Sequence, residues 1–182
     1  SGYWVKVNDA DALLLAGMPT ERDMVYSLHS GANLISYPYR YPTPIAEALP
    51  EGIGCDISGI IGEGVAATCI DGNWMGLLSH LEGSYGYWLL AEVDMEIIFN
   101  GCDENCAGLT RSIKPAKLEG YEFAQSTKQA FYFIEDIENI KVNDWILSYN
   151  GDKVIGTRQW QGNIVDIPTM GNDGSDYTKG YI

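Results

Sequence analysis

The sequence predicts a mainly β protein: two small antiparallel β-sandwich or barrel-like modules with little helix. Three observations point there. Short runs rich in Tyr, Trp, Val and Ile recur along the 182 residues at regular spacing. Clusters of Gly, Asn, Asp and Pro separate them and supply the backbone geometries that turns require. Helical signals are confined to two brief stretches.

Along the chain, residues 3–7 and 13–16 read as a first hairpin, with Asn8-Asp9-Ala10-Asp11 as its turn. Residues 23–28 and 33–37 read as a second, turning at His29-Ser30-Gly31. Residues 45–49 follow Pro42-Thr43-Pro44 and stop before Pro50, which suits a helix of one or two turns. Strands are expected at 57–61 and 65–70, parted by Gly62-Glu63-Gly64, and Asp71-Gly72-Asn73 turns the chain into Trp74-Met75-Gly76. Residues 77–82 offer the second short helix, and strands 85–91 and 96–99 close the unit. Further strands are expected at 121–125, 129–134, 144–149, 154–160 and 164–167, with a strand start at Tyr181-Ile182. Asn150-Gly151-Asp152 is a strong hairpin signal, because Asn-Gly supplies the two positive φ values of a type I′ turn. Trp145 and Trp160 flank that turn as core or cross-strand partners, and Trp4, Trp74 and Trp88 read as core.

An internal echo organises the first half. Gly2-Tyr3-Trp4-Val5 returns as Gly86-Tyr87-Trp88-Leu89. At the same offset Leu13-Leu14-Leu15 meets Ile97-Ile98-Phe99, and Gly17 meets Gly101. Residues 1–17 are therefore read as the tail strand pair of a preceding repeat and 18–101 as the first β-module. Residues 102–119 read as a linker and 120–182 as a second, truncated β-module. An isolated hairpin is at best marginally stable in water, so residues 1–17 need a sheet to join.

A net charge of −14 and an isoelectric point near 4.3 repel phosphate backbones and anionic lipid, so neither nucleic acid nor membrane is an expected partner. No apolar run approaches the roughly 20 residues of a membrane-spanning helix. The four cysteines fall into two local sets, Cys55 with Cys69 and Cys102 with Cys106. Disulfides within each set are expected, which implies an oxidising compartment. The alternative is a zinc site of all four thiolates, although only Cys102 and Cys106 are closely spaced.

No catalytic residue is expected. His29 and His80 each stand beside a serine, but there is no Gly-x-Ser-x-Gly elbow and their separation suits no zinc site. Gly62-Glu63-Gly64 falls short of a dinucleotide fingerprint, since Ala67 holds the third glycine position and no long helix follows. Glu63 is the most distinctive carboxylate and the best candidate for an acidic hydrolase site. Asn172-Asp173-Gly174-Ser175-Asp176 gathers hard oxygen donors, so Asn172, Asp173, Ser175 and Asp176 are candidate calcium ligands; no other cofactor is expected. In an extended Tyr37-Pro38-Tyr39-Arg40-Tyr41-Pro42 stretch, Tyr37, Tyr39 and Tyr41 share one face with Arg40 opposite. The prolines place this stretch on an edge or in a loop, where an exposed tyrosine row would suit sugar rings or a protein partner.

Gly31-Ala32-Asn33-Leu34-Ile35-Ser36-Tyr37-Pro38, then Ile61-Gly62-Glu63-Gly64, then Gly86-Tyr87-Trp88 resembles a repeated β-module of large bacterial secreted and cell-surface proteins. That pattern is approximately Gly-Trp-Asn-Leu-Ile-Ser-x-Pro followed by Gly-x-Gly-Tyr-Trp; Ala32 replaces its aromatic and Ser84 its first later glycine. Gln129-Ala130-Phe131-Tyr132-Phe133, Gly156-Thr157-Arg158-Gln159-Trp160 and Met170-Gly171-Asn172-Asp173-Gly174 are similar to a second β-module that follows it. The resemblance implies an extracellular or surface setting, neighbouring modules of the parent protein as partners, and no established activity. The expected function is a non-enzymatic structural or adhesive module. A carbohydrate-binding module using exposed tyrosines, with calcium or without, is the second reading, and an acidic-site hydrolase the third.

Overall fold

The computed structural model describes residues 5, 7, 9–12, 14, 16–18, 20–101 and 114–182. Within them the chain is mainly β, with several small antiparallel sheets and no closed barrel. The hairpin expected over residues 3–16, and with it much of the 1–17 repeat, rests on positions outside the described residues, as do Trp4, Cys102 and Cys106. Among the described residues no helix is long and apolar enough to cross a membrane.

The first half is organised by one five-stranded antiparallel sheet. Its strands are β2 (Gly31–Ser36), β4 (Ile57–Ile61), β5 (Ala66–Ile70), β6 (Asn73–Gly76) and β8 (Gly86–Ala91), in the order β2-β8-β4-β5-β6. β5 and β6 form a hairpin in which Ile70 opposes Asn73. Asp71 and Gly72 at its tip adopt φ of 50° and 78°, the two left-handed positions of a type I′ turn. β8 alternates in burial along its length, and Tyr87, Leu89 and Ala91 are its buried members.

The expected hairpin of 23–28 with 33–37 does not form. β1 (Tyr26–Leu28) pairs with β9 (Met95–Ile97), while β2 pairs with β8. The chain bends at His29-Ser30, so the β1–β2 segment and the β8–β9 segment cross together from the large sheet into a small one. Asn33, buried, fixes the corner: its amide donates to the carbonyls of His29 (2.7 Å) and Gly31 (3.1 Å) and accepts from the His29 N–H (3.0 Å). Opposite, the Ser30 N–H donates to the Asp94 carboxylate at 2.7 Å.

The core lies between these layers, with Tyr26, Ile35, Ile57, Ile60, Leu81, Leu89, Ile97 and Phe99 at its centre. Tyr26 and Tyr37 meet Phe99 edge to face at 5.1 and 5.5 Å, an arrangement the ring quadrupoles favour. The short helix α1 (Ile45–Ala48) seals one end with Ile45 and Ala48 inward. The second helix expected, at 77–82, is absent. His80–Leu81 instead forms β7, pairing with β3 (Thr43–Pro44) and leaving Leu81 fully buried.

The second half consists of two ribbons: β10 (Gln129–Ile134) with β13 (Val165–Met170), and β11 (Trp145–Asn150) with β12 (Lys153–Gln159). Residues 121–125 carry no strand, nor do Tyr181-Ile182, although the Asn172 N–H donates to the Ile182 carbonyl at 2.7 Å. The β11–β12 tip is centred on Gly151-Asp152, and only Gly151 has positive φ (59°). That meets the requirement of a type II′ turn, not the type I′ turn expected of Asn150-Gly151. Trp145 opposes Gln159, while Trp160, buried, lies one step further along and donates its N–H to the Asp144 carbonyl at 2.8 Å.

All six residues of β13 are buried, because β12 packs on it from one side and the first half from the other. A Cβ added at Gly156 would sit 1.7 Å from the Pro168 carbonyl oxygen, so only glycine permits this approach. A strand buried on both faces loses the apolar/polar alternation that identifies strands in a sequence.

The disulfide expected of the first cysteine set is present, joining Cys55 to Cys69 across a separation of 14 residues. It ties the segment before β4 to β5 near the outer edge of the large sheet. A loop of this length stabilises by about 3 kcal/mol through the unfolded chain. Urea unfolding of the Cys55→Ser/Cys69→Ser variant is expected to show that loss; an unchanged midpoint would contradict it.

Candidate functional site

A buried ion pair within the second half hydrogen-bonds to the backbone of the first. Arg158, on β12, is 3% exposed and Asp166, on β13, is 0% exposed. The Asp166 Oδ2 atom accepts from Arg158 Nη2 at 2.9 Å and from the Ala66 N–H at 2.9 Å, while Oδ1 accepts from the Leu77 N–H at 2.7 Å. Arg158 also donates from Nε to the Asp166 carbonyl (2.7 Å) and from Nη2 to the Gly64 carbonyl (2.8 Å). Burial pushes the Asp166 carboxyl up and the Arg158 guanidinium down, and the charge of each opposes the shift of the other.

This network reaches the Gly62-Glu63-Gly64 turn from beneath. Arg158 holds the Gly64 carbonyl, and Gln129 Nε2 donates to the Gly62 carbonyl at 3.1 Å. The Gly62 N–H closes the turn onto the Val65 carbonyl at 2.9 Å. Glu63 is thereby presented to solvent by a backbone pinned on both sides.

Above the turn lies a cleft of about 990 Å³ between the halves. From the first half it is lined by Arg40, Tyr41 and Pro42, by the Glu63 turn with Val65 and Leu78, by Glu82, Gly83 and Tyr85, and by Gly86 and Tyr87 at the start of β8. From the second half come Lys114 to Leu118, Tyr121, Glu122, Phe123 and Gln125, with Thr157 and Arg158. Tyr85 and Tyr121 are 49% and 44% exposed, and Tyr41 is half-buried. The Arg40 guanidinium stands 5.7 Å from the centre of the Tyr41 ring, within cation–π range. Tyr87 is buried and its hydroxyl accepts the Glu82 N–H at 2.9 Å; burial pushes its pKa upward, so it stays neutral.

The tyrosine row expected over 37–41 is corrected by its burial. Tyr37, Tyr39 and Tyr41 alternate with their neighbours as expected, but the first two face the core at 3% and 8% exposure. Their hydroxyls donate to the carbonyls of Asn100 (2.6 Å) and Phe99 (3.0 Å), which satisfies them inside. Only Arg40 and Tyr41 of the four reach the cleft. The physical reason is the apolar partner across the core, Phe99, which no local pattern announces.

The residues expected to bind calcium form a hydrogen-bonded turn. Asp173 Oδ1 accepts from the Ser175 N–H (3.0 Å) and the Thr178 hydroxyl (2.8 Å), and Oδ2 from the Thr127 N–H (3.2 Å). Asn172 Oδ1 accepts the Gly174 N–H at 2.9 Å, and Ser175 and Asp176 lead into a 3-10 turn at Asp176–Thr178. Hydrogen bonds from the side chains of Ser175 and Thr178, and from the Ser175 and Thr127 backbone, hold the Asp173 carboxyl well below the usual carboxylate range. Among the described residues no cluster of three or more His, Cys, Asp or Glu side chains is arranged to hold a metal ion. The histidines stand apart: His29 Nδ1 is 2.8 Å from the Ser30 carbonyl, and His80 Nδ1 is 2.8 Å from the adjacent Ser79 hydroxyl.

The Asp166→Asn variant leaves the Arg158 charge buried without its counter-charge and is expected to cost about 3–5 kcal/mol in chemical denaturation. A loss near zero would show that the buried pair does not stabilise the fold. Asp173 sets a pH dependence of known sign. Its folded pKa lies below its unfolded value of about 3.9, so its stabilisation is fully present above that pH and is lost as pH falls toward the folded pKa. The stability difference between wild type and Asp173→Asn is therefore expected to stay constant from neutral pH to about pH 5 and to shrink below about pH 4. A difference that grows on acidification would contradict this.

No protein-family model, curated protein or solved structure matches this chain, so the cleft's chemistry is read from its own residues.

Proposed function

We propose that this chain is a non-catalytic binding module of an extracellular or cell-surface protein, adhesive in role, and that its ligand sits in the cleft between the halves. The observation that carries this reading is the cleft itself. It is of ligand size, it carries aromatic rings held partly open to solvent, and its base is fixed by the Arg158–Asp166 network. Preorganised aromatic faces bind without the cost of ordering a loop. The Cys55–Cys69 disulfide supports an oxidising compartment, and the resemblance to repeated bacterial surface modules supports a place within a larger parent protein.

The tyrosines of this reading are Tyr41, Tyr85 and Tyr121, and Tyr37 and Tyr39 serve the core. Glu63 is read as a hydrogen-bond acceptor on the cleft wall.

The test is an array of defined glycans and extracellular matrix proteins probed with the whole chain. A ligand retained by the wild type is expected to be lost in the Tyr85→Ala/Tyr121→Ala variant, provided that variant melts with the wild type. The bound ligand is expected to be recovered intact after prolonged incubation. Cleavage that disappears in Glu63→Gln would replace this reading with a hydrolase.

A further inference from the structure

The charge on the cleft differs from the charge on the molecule. The chain carries 25 acidic against 11 basic residues. Among the described residues that line the cleft, Arg40, Lys114 and Lys117 stand with Glu63, Glu82 and Glu122, beside Arg158, whose charge Asp166 meets. Arg40 and Lys117 represent the donors and Glu63 the acceptors, all exposed, among the rings of Tyr41, Tyr85 and Tyr121.

From this juxtaposition we infer that the cleft takes a neutral oligosaccharide. The inference rests on the binding-module reading above and names its ligand class.

Three physical points select that class. A sugar hydroxyl both donates and accepts, so a wall that carries both cations and carboxylates can pair it in either role, whereas a ligand of one charge meets like charge on the same wall. Tyrosine faces match the apolar C–H faces of pyranose rings and keep a polar tip for the ring's edge. The surrounding field of a chain at −14 repels acidic glycans from a distance, and the described cations of the wall are matched by as many carboxylates. A volume of about 990 Å³ accommodates more than one ring, at the upper end of small-ligand sites.

The probe is a set of short neutral oligosaccharides, of glucose, mannose, xylose and N-acetylglucosamine, alongside uronic-acid and sulfated oligosaccharides. Binding to the whole chain is measured by titration calorimetry at low and high salt. At least one neutral member is expected to bind with an affinity that salt leaves unchanged. Tyr85→Ala and Tyr121→Ala are each expected to weaken it on the order of tenfold. The conservative variants Tyr85→Phe and Tyr121→Phe, which keep the ring face, are expected to retain most of it. Salt-sensitive binding confined to the acidic sugars would overturn the neutral class while leaving the cleft as a binding site. Binding of neutral sugars that survives both alanine substitutions would place them elsewhere and overturn the assignment. No sugar bound, with a matrix protein captured through the same tyrosines, would overturn the glycan class and keep the binding-module reading.

Discussion

The architecture depends on a carboxylate placed where water cannot reach it. Asp166 belongs to the second half, yet two of its acceptor positions are filled by backbone N–H groups of the first, at Ala66 and Leu77. A charge at 0% exposure is tolerated only with near-complete pairing, and the Arg158 guanidinium completes it while holding the Gly64 carbonyl. Buried ion pairs add little net stability over an apolar replacement of the same shape. What this one supplies is position. It sets β13 against the ends of β5 and β6, and it holds the Glu63 turn at the mouth of the cleft.

Much of the fold was legible in the sequence, and the legible part was local. The period-2 patterns placed β2, β4, β5, β8, β10, β11 and β12 within a few residues, and Asp71-Gly72 marked its turn correctly. What failed were statements about partners. β1 follows β2's neighbour logic in sequence but bonds to β9, because the chain bends at His29-Ser30 and the buried Asn33 holds the bend. Residues 77–82 looked helical by composition, yet pairing with Thr43–Pro44 overrode that weak preference. Strand β13 was expected to end at Ile167, directly before Pro168, whereas it runs through the proline to Met170, and burial on both faces leaves no alternation to mark that extension.

The cleft was legible only in fragments. Glu63 stood out for its flanking glycines, and Arg40 and Tyr41 for their neighbours, but Tyr85 and Tyr121 lie in stretches with no distinctive local pattern. The tyrosine face at 37–41 was recognised as a face, and its direction was not: periodicity states which residues lie together, not which side holds the core. One signal could have located the junction. An aspartate inside Val165-Asp166-Ile167 and an arginine inside Gly156-Thr157-Arg158 are charges set in strand interiors, and a charge in such a place implies a partner.

The position of Gly86–Ala91 within the large sheet also bears on how the chain acquires its shape. β2 and β4 flank it without bonding to each other, so β8 is the last of the three to be synthesised and the one that joins the other two. As the polypeptide emerges from its amino end, Gly31–Ser36 waits without a mate while the β4–β5–β6 meander assembles by short-range contacts. Closing the sheet then requires a distant segment to insert between two waiting edges, a step burdened by loop entropy. Premature termination before residue 86 would leave both edges open, a form suited to sticking to other chains.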